Sequence, residues 1–177
     1  MDRQNGDAPR GKPGLKEMLI SVVMGLCFIA QVVLCFLYFN SLQINWLVYL
    51  GGVVMVLAVL ISWRARVVFE TKGGAPDDES WLNTRRVVIT GIYGMVRHPM
   101  YLSFMLISLS LVLLSQNWLN ALMGSVVIGI LYYGMYLEEQ NTIARFGDEY
   151  RSYMQQVPMM NIAVGLLRAL QRRSRAL

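Results

Sequence analysis

The sequence predicts an all-α polytopic membrane protein, with about four transmembrane helices followed by cytoplasmic interfacial helices at the C-terminal end. Three observations predict it. Four stretches, Met18 to Phe39, Ile44 to Trp63, Met100 to Ser115 and Trp118 to Leu137, carry no Asp, Glu, Lys or Arg. Each approaches the roughly 20 residues that cross a hydrocarbon core, the third being the shortest. The basic residues fall only in alternate connections. Finally, a chain of 177 residues that is 55% hydrophobic and 15% charged is too apolar for a soluble domain of its size.

Residues Met1 to Pro13 are polar and interrupted by glycine and proline, so disorder is expected for an N-terminal segment of 1–17. The first span follows basic residues, as a signal peptide would. Its apolar run is too long for that, and no small-residue cleavage site follows Phe39, so it reads as a mature helix. Within it, Cys27 and Cys35 read as small hydrophobes, and Gln31 as an interhelical hydrogen bond. The hairpin 18–63 is edged by Tyr38, Phe39, Trp46 and Trp63, rings that favour the headgroup region, and reads as anchor and scaffold.

Lys and Arg stay on the cytoplasmic side of short connections. Arg3, Arg10, Lys12 and Lys16 precede the first span. Arg64, Arg66, Lys72, Arg85, Arg86 and Arg97 lie in the middle segment, and Arg145, Arg151, Arg168, Arg172, Arg173 and Arg175 in the tail. The connections at Asn40 to Asn45 and Gln116 to Asn117 carry no charge. Both termini and the middle segment are therefore expected in the cytoplasm, in an inner or plasma membrane, with two tight turns on the far side. The net charge of +5 suits anionic headgroups. Nucleic acid is a poor partner for basic residues spread beside spans, and no obligate protein partner is inferred.

The middle segment from Arg64 to Arg97 reads as a connecting loop. Its turn cluster is Lys72-Gly73-Gly74-Ala75-Pro76-Asp77-Asp78, and an interfacial stretch runs from Trp81 to Ile89 with Arg85 and Arg86 inside it. Gly91 and Gly94 would let backbone approach a ligand. Then Arg97-His98-Pro99-Met100-Tyr101 opens the third span, and Glu138-Glu139 closes the fourth. Counting about 1.5 Å per residue, the outward helix rises roughly 24 Å and the returning one roughly 30 Å. The overshoot of about one turn would carry the two glutamates beside His98, the chain's one histidine, and Tyr101. Beyond them, Ile143, Phe146, Tyr150, Tyr153 and Met154 keep helical spacing from Gln140 to Gln156, with Gly147 a breaking point and Val157-Pro158 the end. Ile162 to Leu170 is apolar on one side and ends in Arg172-Arg173-Ser174-Arg175, which suits an interfacial helix better than a fifth span.

These residues carry a resemblance. Gly91-x-Tyr93-x-x-Val96-Arg97-His98-Pro99-x-Tyr101, a helical hairpin, Glu138-Glu139, then Phe146-Gly147-x-x-Tyr150-x-x-Tyr153 and Val157-Pro158 follow one another. In that order they resemble the isoprenylcysteine carboxyl methyltransferases and the related phospholipid methyltransferases. The resemblance implies a methyltransferase core over 64–177, S-adenosylmethionine as donor, and a hydrophobic or lipid-like methyl acceptor entering from the bilayer. Many relatives carry Pro, Arg and Arg where this chain has Ile92, Gly94 and Met159, which leaves the acceptor class open.

The donor has a sulfonium, an ammonium, a carboxylate and a ribose diol. Glu138 and Glu139 suit the ammonium or the diol. The helix start at Pro99, with Arg97 beside it, suits the carboxylate, and Tyr101 can stack on adenine. The expected cofactor-binding set is thus Gly91, Tyr93, Gly94, His98, Pro99, Tyr101, Glu138 and Glu139. His98, Arg97 and Tyr101 are the expected catalytic set, His98 positioning first and acting as base second; no metal is called for. Rival readings are methylation of a phospholipid amine, a non-catalytic scaffold, and a small transporter. The last is disfavoured because the spans hold no ionisable group at mid-depth.

Overall fold

The computed structural model describes residues 15–74 and 86–174. Among them all regular structure is helical: α1 (Leu15–Leu37), α2 (Asn45–Lys72), a short 3-10 turn at Gly91–Gly94, α3 (Pro99–Ser115), α4 (Trp118–Phe146), α5 (Asp148–Gln156) and α6 (Ile162–Ser174). The expected disorder up to Pro13, the turn residues Ala75 to Asp78, and Trp81 and Arg85 lie outside the described residues. Helices α1, α2 and α4 are long and apolar enough to cross a membrane, whereas α3 has 17 residues. At about 1.5 Å each, α3 spans roughly 25 Å, a little short of the hydrocarbon core.

Two boundaries differ from expectation. The middle segment does not begin as a loop at Arg64, because α2 continues to Lys72. Ala65, Val68 and Phe69 give that extension an apolar face against Val88 and Tyr93, and Arg66 and Glu70 pair at 2.8 Å on its exposed side. Likewise α4 does not stop near Leu137 but runs unbroken to Phe146.

Two compact units interleave along the chain. One holds residues 15–60 and 101–135 and is organised by buried polar groups rather than by apolar packing alone. Gln31 is fully buried; its amide nitrogen donates to Asn120 Oδ1 at 3.2 Å, and its amide oxygen accepts from Ser108 Oγ at 2.9 Å. Asn120 in turn donates to Ser115 Oγ at 2.9 Å and to the Gln31 carbonyl at 3.3 Å. In lipid an unpaired amide has no water to turn to, so the network fixes α1, α3 and α4 in register. Gln31→Leu is expected to lower stability by about 1–2 kcal/mol, read from denaturant unfolding in detergent.

The two uncharged turns are bonded to each other at one end of this unit. Asn40 and Ser41 donate backbone N–H to the carbonyls of Leu114 and Ser115 at 2.9 and 3.1 Å. Gln116 exchanges two side-chain bonds with the backbone of Ile44, at 3.1 and 2.9 Å. Asn40, Gln43 and Gln116 adopt left-handed φ of 52°, 56° and 53° to make these turns. Both hairpins therefore turn at the same end, as the charge pattern required.

Candidate active site

The other unit gathers residues 61–74, 86–100 and 136–174. Glu139 ends a buried stripe along α4. Val127, Leu131, Met135 and Glu139 recur every four residues and are 0%, 1%, 0% and 7% exposed. That spacing keeps one helical face, so Glu139 continues the buried stripe while Glu138, about 100° around the axis, is only half-buried. Of the two expected carboxylates, Glu139 is thus a buried acid and Glu138 a neighbour at its edge.

Glu139 is shared. Its Oε1 lies 3.0 Å from His98 Nε2 and 3.0 Å from Arg97 Nη1, and all three side chains are at least nine-tenths buried. With the carboxylate ionised, the histidine donates its Nε2–H. The arginine contact is an ion pair. Both Nε and Nη1 are buried without a hydrogen-bond acceptor among the described residues. A guanidinium with unused buried donors beside a single carboxylate is a ready seat for a second anionic group.

The chain enters this cluster through a shaped turn. Gly91 has φ +60°, and a Cβ there would meet Val68 Cγ2 at 3.2 Å; at Gly94 a Cβ would meet the Ile89 carbonyl at 3.1 Å. Both glycines therefore serve close packing within the protein itself. Tyr93 is also used for packing: its ring is buried with Ala65 and Val88 and lies 5.5 Å from Phe69. The expected free N–H groups at the start of α3 are partly occupied, since Arg97 and His98 donate to the carbonyls of Pro158 and Met159 at 3.1 and 3.2 Å. Pro99, almost fully buried, opens the helix with no N–H of its own. Tyr101 lies in the first unit, where its ring packs 3.4 Å from the Cβ position of Gly134.

Val157-Pro158 reads in the sequence as a helix end and as part of the motif order that carries the resemblance. In the structure the backbone at 158–159 braces the Arg97–His98 turn, and α5 supplies the brace. Tyr150, Tyr153 and Val157 form a buried cluster, and Tyr153 donates its hydroxyl to the Tyr93 carbonyl at 2.7 Å. Burial, with the neighbouring Glu139 carboxylate next in effect, pushes the Tyr150 phenol up. Burial and then Glu138 do the same to Tyr93. Both phenols stay protonated at physiological pH, so they can donate hydrogen bonds but cannot act as bases. The α4–α5 break is set by Gly147 at φ 55° and ψ −127°, a region closed to other residues. Gly147→Ala is expected to cost about 1–3 kcal/mol and to loosen the Tyr153–Tyr93 bond, read as faster amide exchange across α5.

A family model for the phospholipid methyltransferases matches residues 46–149, more than half of the chain and inclusive of the Arg97–His98 turn and Glu139. The chain belongs to the phospholipid methyltransferase family. Methanethiol S-methyltransferase 1 of Bradyrhizobium diazoefficiens is 38% identical over 69 residues, covering 39% of this chain and 24% of that protein. Protein-S-isoprenylcysteine O-methyltransferase of Schizosaccharomyces pombe is 34% identical over 73 residues, covering 41% and 31%. The matched segments therefore span about a quarter and a third of these curated relatives. No solved structure matches. Family membership and the apolar helices together identify an integral membrane protein.

Proposed function

We propose that this family member transfers a methyl group from S-adenosylmethionine to a hydrophobic or lipid-like acceptor, in the manner of the isoprenylcysteine carboxyl methyltransferases. The observation that carries the reading is the buried cluster in which Glu139 holds both His98 and Arg97 while two arginine donors stay unused. S-adenosylmethionine supplies a methyl on a sulfonium, which becomes a neutral thioether when the acceptor takes that methyl. The chain's own residues do the rest. Arg97 turns its unused donors to the amino acid carboxylate, which fits their burial and charge. Glu139 and the half-buried Glu138 face the ammonium or the ribose hydroxyls. Gly91, Tyr93, Gly94 and Pro99 contribute backbone shape at the turn.

His98, fixed by its bond to Glu139, positions the donor. For an acceptor that must lose a proton, His98 or a glutamate takes it. Alignment and exclusion of water supply most of the acceleration, since no covalent intermediate is needed. The orientation that suits this chemistry puts the cluster and both termini at the cytoplasmic face.

A phospholipid amine is the second reading, favoured by the description of the matching family. Both are tested by incubating purified protein with methyl-labelled S-adenosylmethionine and, separately, a prenylated cysteine, a small thiol and phosphatidylethanolamine. Label on the prenylated cysteine supports the first reading, label on phosphatidylethanolamine alone supports the second, and label on the thiol alone counts against both. No transfer to any of them by folded protein counts against both.

A further inference from the structure

The C-terminal helix α6 lies beyond the segment matched by the family, and the proposed chemistry does not use it. From Met159 onward the chain carries Arg168, Arg172, Arg173 and Arg175 and no acidic residue. In α6, Ile162, Leu166 and Leu167 are 39%, 45% and 60% exposed, and Arg168 is exposed as well. At about 100° per residue, Ile162, Leu166 and Leu167 fall within one arc, and Arg168 falls outside it. An exposed apolar arc in a segment whose charged residues are all basic suits the boundary of an anionic bilayer. The same unit holds the ends of α2 and α4 where charge returns after their apolar runs, at Arg64 and Glu138.

The helix is also bound to the site. Gly165 is buried, and a Cβ there would collide with the carbonyl of Met95, two residues before Arg97. Asn161 caps the helix by accepting from Val164 N–H at 3.0 Å, and Arg168 donates to the Gln155 carbonyl at the end of α5 at 3.4 Å. The backbone of α6 thus rests on the turn that presents Arg97 and His98.

We propose that α6 docks onto an anionic lipid surface and that this docking holds the Met95–His98 turn in its binding geometry. The second half rests on the proposed donor site; the first does not. The test places the full chain in nanodiscs of phosphatidylcholine alone and of phosphatidylcholine mixed with phosphatidylglycerol. Amide exchange across 162–171 and affinity for S-adenosylhomocysteine are measured in each. Anionic lipid is expected to slow exchange in α6 by roughly tenfold and to tighten binding severalfold. The double variant Leu166→Glu/Leu167→Glu, which alters only exposed positions, should lose both responses and keep the affinity seen in phosphatidylcholine. Equal exchange in the two membranes overturns the docking. Slower exchange with unchanged affinity overturns the coupling. Lipid-dependent exchange with no binding in either membrane supports the docking while overturning the donor-site reading and the coupling with it.

Discussion

Glu139→Ala is expected to lower stability by about 3–5 kcal/mol and to abolish measurable binding of S-adenosylhomocysteine. The size follows from what the substitution leaves behind. Arg97 and His98 are both buried against the same carboxylate oxygen, so removing it takes the counter-charge from a guanidinium whose Nε and Nη1 have no hydrogen-bond acceptor among the described residues. Breaking a buried pair from one side costs far more than the pair contributes, because the surviving charge has lost its solvation as well as its partner. Glu139→Gln keeps the shape and one acceptor oxygen, so it should fold closer to wild type while still binding poorly. The two variants together separate a binding defect from a folding defect. The check is thermal unfolding in detergent beside a ligand titration. Wild-type stability and affinity in Glu139→Ala would show that the cluster is neither structural nor functional.

Arg97→Ala is expected to weaken S-adenosylhomocysteine about 30- to 100-fold, equivalent to ~2–3 kcal/mol for a charge-assisted contact. The same variant should bind methylthioadenosine, which has the nucleoside and sulfur but no amino acid carboxylate, about as well as wild type does. This contrast isolates the role of the guanidinium. A loss shared equally by both ligands would mean that Arg97 supports the fold of the site and does not hold the carboxylate. Arg97→Lys should recover little, because a point charge on a flexible stem cannot reproduce two fixed donors.

Much of this site is legible in the sequence, for a reason that is mostly geometric. The stretch of α4 from Trp118 to Glu139 is longer than α3 by a little over one turn, and that register returns Glu139 to the histidine; the 3.0 Å contact realises it. The fate of Gln31 was legible too, since a lone amide deep in an apolar span has to find partners within the protein. Which glutamate turns inward could also have been read, from the four-residue recurrence of Val127, Leu131 and Met135 leading to Glu139.

Other features left no such trace. The brace at 158–159 acts through backbone carbonyls, which every residue has, so side-chain identity could not reveal it. Gly165 reads as an ordinary helix glycine until the carbonyl of Met95 is found against it. Tyr93 was expected at the ligand because it sits in the motif; only the apolar neighbours brought by the longer α2 show its ring committed to packing.

The most direct measurement is a calorimetric titration of the detergent-purified wild-type chain with S-adenosylhomocysteine, repeated with His98→Ala. The account predicts saturable binding at one site per chain in the wild type and its loss in the variant, with S-adenosylmethionine competing. A folded wild-type protein that takes up neither ligand would contradict the claim that the Arg97–His98–Glu139 cluster is a methyl-donor site.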